Sequence, residues 1–191
     1  MAKSKKKANN TNPITASKDE SCSNDNESLF TKIKAELQKF KSSREKISKQ
    51  LEKLCNLRNT ATFVAPKNIA SSIGNTLDPT KFFLLFNEEF FQLTEDILCI
   101  RNEVDEAIVA YANILQISEK TTTESIPVDH SALSKLLDEM QRQHSVESLA
   151  ISAACDIEND SIDQDALITL LACFKYPPYL NIYNLDIILS S

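Results

Sequence analysis

Few side chains in this sequence could do acid–base chemistry or hold a metal ion. The two histidines, His130 and His144, are fourteen residues apart, which on one helix corresponds to about 21 Å. Adjacent acids such as Glu88 and Glu89 could serve as general acid and base, but neighbouring helix residues point in different directions. The sequence has no HExxH motif and no glycine-rich phosphate loop, and its single glycine, Gly74, fits a turn. The pattern predicts no catalytic residue, no metal site and no cofactor.

The five cysteines do not follow a metal-binding or disulfide pattern. Their number is odd, and no two of them have CxxC spacing. We interpret them as reduced thiols that behave as small hydrophobic side chains in a reducing compartment. They are Cys22, Cys55, Cys99, Cys155 and Cys173.

The composition favours helices and argues against a membrane protein. One glycine and no tryptophan in 191 residues are unusual for a sheet protein, whose turns consume glycine. The almost purely apolar run at residues 167–174 is eight residues long, whereas crossing a bilayer takes about 20. No apolar stretch follows the basic N-terminus, so we expect no secretory signal and an intracellular protein.

Charge is distributed unevenly along the chain. Residues 1–58 have 14 Lys and Arg against 7 Asp and Glu, and residues 59–191 have 7 against 20, which gives the net charge of -6. Residues 1–27 have almost nothing to bury, so we predict a disordered basic tail. Its four clustered lysines are typical of a nuclear import signal, although a solvated terminus has the same composition. They are Lys3, Lys5, Lys6 and Lys7.

A heptad repeat begins at Phe30. Apolar residues alternate by steps of three and four, and Arg44 and Arg58 occupy the two positions where the pattern would place an apolar residue. The repeat predicts a helix from about residue 28 to 60, roughly 48 Å long. The apolar residues of this first seam are Phe30, Ile33, Leu37, Phe40, Ile47, Leu51, Leu54 and Ala61.

A second repeat follows Asp78 and Pro79, which are typical of a helix start. The residues of this second seam are Phe83, Phe86, Phe90, Leu93, Ile97, Ile100, Val104, Ala107, Tyr111 and Ile114. Leu85, Leu98, Ile108 and Leu115 widen its apolar stripe beyond what one neighbouring helix can cover. A wide stripe calls for a third or fourth helix, either from residues 131–189 or from another protein.

Charges beside the two seams predict how the helices pair. Lysines repeat at heptad position c of the first helix, and acids repeat at position g of the second. Antiparallel pairing brings these stripes together, so we predict an antiparallel coiled-coil hairpin over residues 28–118. Exposed ion pairs contribute only about 0.2 to 1 kcal/mol each, so the seam supplies the stability. The charged residues are Lys32, Lys39, Lys46 and Lys53, and Glu89, Asp96 and Glu103.

The rest of the chain predicts a linker, 119–128, and a small C-terminal helical domain, 129–191. A third helix is expected over 131–157, with His144 on its apolar face, and a fourth begins after Ser161. Pro177 and Pro178 end the fourth helix, and a last helical segment covers 179–189.

The stop at the two prolines is our candidate partner-binding site. An extended turn there would present tyrosines, which are enriched at interfaces, although packing of both tyrosines inside the domain is an alternative. The candidate residues are Phe174, Tyr176, Pro177, Pro178 and Tyr179.

Nucleic acid is a possible but less favoured partner. Residues 31–58 have nine basic residues against three acidic ones, and lysines at seven-residue spacing could follow a phosphate backbone. No aromatic residue lies between those lysines to stack on a base.

Three stretches carry a resemblance to a known family: FNEEFFQLTEDI (86–97), LSKLLDEMQRQ (133–143) and ALITLLACFKYPPYLN (166–181). With the order of the predicted parts, they make the chain similar to the cyclin-dependent kinase 2-interacting protein family over residues 28–190. The resemblance implies a non-catalytic nuclear adaptor that assembles with AAA ATPases and a second small helical subunit. It implies a role in chromatin replication, replisome turnover and large ribosomal subunit maturation. A ribosome-maturation factor family with the same layout, and a coiled-coil subunit of another complex, are the alternatives.

Overall fold

The described part of the chain is all-α, as predicted. The computed structural model describes residues 28–64, 79–120, 129–156 and 164–191, and within these ranges it contains five helices and no strand. We number them α1 (Leu29–Val64), α2 (Pro79–Lys120), α3 (His130–Cys155), α4 (Gln164–Lys175) and α5 (Ile182–Ser190).

Several predictions fall outside the described residues. They are the tail 1–27 with its lysine cluster, the turn at Gly74, Asp78 at the second helix start, most of the linker 119–128, residue 157 of the third helix, the helix start at Ser161 and the side chain of Phe83.

α1 and α2 lie side by side and antiparallel. Lys39 and Lys46 of α1 contact Glu106 and Glu103 of α2, at 3.4 Å and 3.7 Å, so the numbering falls along α2 as it rises along α1. The pairing of Lys46 with Glu103 joins the predicted stripes, whereas Lys39 reaches an acid outside them. Supercoiling of this pair stays a prediction.

The two predicted seams form much of the α1–α2 contact. Most of their side chains are buried, and Phe30, Phe86, Ile100 and Ile114 are half-buried. The buried members are Ile33, Leu37, Phe40, Ile47, Leu51, Leu54, Phe90, Leu93, Ile97, Val104, Ala107 and Tyr111.

The remaining helices of the same chain cover part of the wide stripe on α2. α3 lies antiparallel to α2, since Tyr111 Oη donates to the Leu133 carbonyl at 2.9 Å and His144 lies 2.7 Å from Asp105. Ile108 and Leu115 are buried, and one hydrophobic core includes residues of all five helices. Leu85 stays exposed. In the described ranges, no helix combines the length and apolar character that a membrane span requires.

The last helix starts later than predicted. α5 begins at Ile182 rather than near Tyr179, because the Asn181 side chain caps it by accepting from the Asn184 N–H at 3.3 Å. The third helix likewise begins at a cap, where the Asp129 side chain accepts from the Ser131 N–H at 3.1 Å.

Candidate functional site: a double-proline corner

The chain turns between α4 and α5 through residues 176–181, which we call the corner. The Tyr176 N–H still donates to the Ala172 carbonyl at 2.8 Å, as in a helix. Pro177 and Pro178 come next and have no N–H to donate, so the helical hydrogen-bond pattern stops there. This agrees with the predicted stop.

The two prolines leave two carbonyls of α4 without their usual donors. In a continued helix, the carbonyls of Cys173 and Phe174 would accept from the N–H groups of residues 177 and 178. Instead, Gln143 Nε2 donates to the Cys173 carbonyl at 3.0 Å, and Arg44 Nη2 lies 3.4 Å from the Phe174 carbonyl. Side chains from α3 and α1 thus replace the missing backbone donors.

These two side chains belong to a buried polar cluster that we define as Arg44, Gln143 and Glu147. Arg44 Nε lies 3.0 Å from both carboxylate oxygens of Glu147, and Arg44 Nη2 also pairs with Glu147. Gln143 Nε2 donates to Glu147 Oε1 at 2.7 Å. Exposure is 7% for Arg44, 1% for Glu147 and 0% for Gln143, so each charge depends on this pairing.

The backbone that follows the two prolines is also hydrogen-bonded to α3. The Tyr179 N–H donates to Gln143 Oε1 at 3.2 Å, and the Asn181 N–H donates to Glu139 Oε2 at 3.2 Å. Between them, Leu180 is buried. The Gln143 amide therefore binds the backbone on both sides of the two prolines.

The five candidate residues divide between the surface and the core. Tyr176 and Tyr179 are 79% and 49% exposed, which does not support their packing inside the domain. Pro178 is exposed and Pro177 half-buried, whereas Phe174 is 5% exposed and supports the corner from within the core.

Sequence reasoning missed further parts of this region. Tyr183 on α5, 73% exposed, adds a third tyrosine near the corner. On α3, we placed His144 on the apolar face, but Gln143 and Glu147 are the buried residues and His144 is half-buried. A three-and-four spacing does run along α3 through both polar residues. It comprises Leu133, Leu136, Met140, Gln143, Glu147, Ala150 and Ala154.

A groove lies between α3 and α5 beside the corner. Its volume is about 270 Å³, and Ala132, Leu136, Ile187 and Ile188 supply apolar walls. Exposed apolar atoms therefore extend from the corner along α5.

The histidine contacts resemble a catalytic triad only in composition. His144 Nε2 lies 2.7 Å from Asp105 Oδ1 and 3.4 Å from Ser148 Oγ. In a triad the acid accepts from Nδ1–H and orients the ring, while Nε2 takes the proton of the serine. Here Asp105 and Ser148 both contact Nε2, so the ring is not oriented for that role.

The described thiols and acids form neither a reactive thiol site nor a metal site among the residues that the structure covers. Burial raises the pKa of Cys55 to about 11 and also raises the pKa of Cys155, which disfavours the nucleophilic thiolate. No three His, Cys, Asp or Glu side chains group as a metal site in the ranges that the structure covers.

Acids of the same chain neutralise part of the basic face of α1. Lys39 pairs with Glu106 and Lys46 with Glu103, and Lys41 lies 2.7 Å from Asp186 on α5. These contacts occupy lysines that a phosphate backbone would need.

Comparisons with known proteins do not assign this fold or corner to a family. Neither a family model, nor a curated protein, nor a solved structure matches the chain. The family resemblance of the three sequence stretches therefore stays a prediction.

Proposed function

We propose that this protein is a non-catalytic helical adaptor that binds another protein at the corner. One observation carries the proposal: exposed tyrosines stand on a turn whose backbone is held by buried side chains. Tyrosine supplies large contact area with only two side-chain torsions to fix, and it is enriched where interfaces are strongest. The apolar groove between α3 and α5 would extend the contact beyond Tyr176 and Tyr179.

By the family resemblance, we further propose AAA ATPases and a second small helical subunit as the partners. The adaptor would act in the nucleus, in chromatin replication and replisome turnover, and in large ribosomal subunit maturation. It would present its helices while the ATPase does the mechanical work. The all-α fold agrees with such a role without distinguishing it from other helical adaptors.

Affinity purification of the tagged chain from its own cells tests the proposal. We expect the wild-type chain to recover an AAA ATPase with another small helical protein in moderate salt. Replacing Tyr176 and Tyr179 together with Ala should lower that recovery at least about tenfold, the effect of losing roughly 1.4 kcal/mol of binding free energy. Helical circular dichroism should stay unchanged, because both side chains are exposed.

Phe91→Ala is the matched control, since Phe91 is an exposed aromatic residue on α2. Its neighbour Phe90 lies against Arg58, fourteen residues along α1 from the Arg44 that contacts the corner. Recovery of partners by Phe91→Ala should equal that of the wild type. Equal recovery by the double tyrosine variant would contradict the proposed site. Recovery of spindle or trafficking coiled-coil subunits in place of the ATPase would favour a different complex.

A further inference from the structure

We propose that Gln143 and Arg44 are positioning residues for the corner: they fix the direction in which Tyr176 and Tyr179 leave the surface, although a bound partner would touch neither. The effect on binding rests on the proposed function. The effect on the conformation of the corner does not.

Gln143 is placed to hold the corner from both sides. Its amide has two N–H donors and one oxygen, and all three groups are used. The nitrogen donates to the Cys173 carbonyl and to Glu147, and the oxygen accepts from the Tyr179 N–H. One buried side chain thereby links the last turn of α4 to the backbone beyond the two prolines.

Arg44 connects the same corner to α1. Its guanidinium binds Glu147 through two nitrogens and has a further donor directed at the Phe174 carbonyl, 3.4 Å away. The carbonyl of Phe174 precedes the first exposed tyrosine by two residues. The corner consequently takes this shape only when α1, α3 and α4 are packed together.

The consequence for recognition is a requirement for the assembled fold. A corner with unpaired carbonyls at 173 and 174 would sample several conformations, and a partner would have to select one of them. Holding one conformation in advance removes that cost. The inference is that a partner binds the packed helices, not the isolated segment 166–181.

Amide hydrogen exchange in the full chain, followed residue by residue by NMR, tests the conformational part. In Gln143→Leu, which keeps the approximate size but removes all three hydrogen bonds, exchange of the Tyr179 N–H should accelerate about tenfold or more. Exchange of the Ser131 N–H, capped by Asp129 elsewhere on α3, should not change. The control substitution is Gln141→Leu, at an exposed glutamine two residues from Gln143 on α3. It should leave the exchange rates of the Tyr179 and Ser131 N–H groups unchanged.

The rates at Tyr179 and Ser131 together separate loss of position from general damage. Tyr179 exchange equal to wild type in Gln143→Leu, or the same acceleration at the Ser131 N–H, would overturn the proposal.

The binding part uses the same affinity purification, with the AAA ATPase and small helical protein as the measured probes. Gln143→Leu should lower their recovery as the double tyrosine variant does, and Gln141→Leu should not. Full recovery by Gln143→Leu with faster Tyr179 exchange would overturn the link to binding. If the wild-type chain recovers neither probe, the proposed function fails, while the exchange experiment still decides whether the positioning residues hold the corner.

Discussion

The α1–α2 seam and the buried polar cluster beneath the corner join helices in opposite ways. The seam repeats apolar contacts along two long helices. Each residue therefore adds a similar share of the burial free energy, and none depends on one partner atom. The cluster joins α1, α3 and α4 through three side chains that must all be present, because a buried charge without its partner is costly. Loss of one seam side chain costs the burial of that side chain, whereas loss of one cluster side chain also leaves its buried partners unpaired.

The largest effect is expected from Glu147→Ala. The substitution leaves the Arg44 guanidinium buried without a carboxylate, which should lower the free energy of unfolding by about 3 to 5 kcal/mol in urea denaturation. Replacing both charges with apolar residues, Arg44→Met with Glu147→Leu, is the control and should cost clearly less than the single change. A double variant as unstable as Glu147→Ala would mean that the charge pair itself adds net stability.

The seam should respond to loss of volume instead of loss of pairing. Leu51→Ala removes a fully buried side chain and should cost about 2 to 5 kcal/mol, depending on how far the cavity collapses. Leu84→Ala, on an exposed side chain of α2, should change stability by no more than about 0.5 kcal/mol in the same measurement. Similar losses at the two positions would show that the seam is not the main α1–α2 contact.

Alkaline pH should weaken the seam region. Burial raises the folded-state pKa of Cys55 from 9.0 to about 11 and also raises the pKa of Tyr111. The folded chain thus holds these protons more tightly than the unfolded chain does. The Cys55 contribution is complete below pH 9 and is lost as the pH rises from 9 towards 11, whereas the Tyr111 contribution is complete below pH 10 and is lost only above it.

For Cys55 alone the loss corresponds to about 2 to 3 kcal/mol, measured as the change in urea stability between pH 8 and pH 11. Cys55→Ala should show a smaller decline over this range, because its unfolded state has one thiol fewer to ionise. An identical decline would assign the alkaline effect to other groups.

The smallest effect concerns the ion pairs at the edge of the seam. Lys39→Ala removes the exposed pair with Glu106 and should cost about 0.2 to 1 kcal/mol at low salt. High salt should abolish most of that difference, because it screens exposed charges. Lys53 of the same helix is exposed without an ion pair in the described ranges, so Lys53→Ala should show neither the loss nor the salt dependence.

Periodicity predicted the long helices well and the polar contacts poorly. The heptad spacing of Leu37, Leu51 and Ile97 placed each of them in the core, because a repeat reports directly which face of a helix is buried. The same pattern flagged Arg44 as an exception within the seam without showing its partner. On α3, the apolar pattern was assigned through His144, and a three-residue step to Gln143 was overlooked because glutamine is seldom buried.

The sequence predicted where the corner begins, but not whether its tyrosines are exposed. The stop at Pro177 and Pro178 follows from the missing N–H groups, which are a local property of the chain. Exposure of Tyr176 depends on where the corner lies against α3, and the sequence left that outcome open.

The amino-acid sequence by itself determined the helices, their apolar faces and the abrupt end of α4, since these depend on spacing and on backbone chemistry within a few residues. Only the tertiary structure decided that Arg44 pairs with Glu147 and that Gln143 binds the backbone at both 173 and 179. The partners in each of these contacts are at least 30 residues apart in the chain. Their pairing is set by how close distant helices approach, and short-range sequence patterns do not encode that distance.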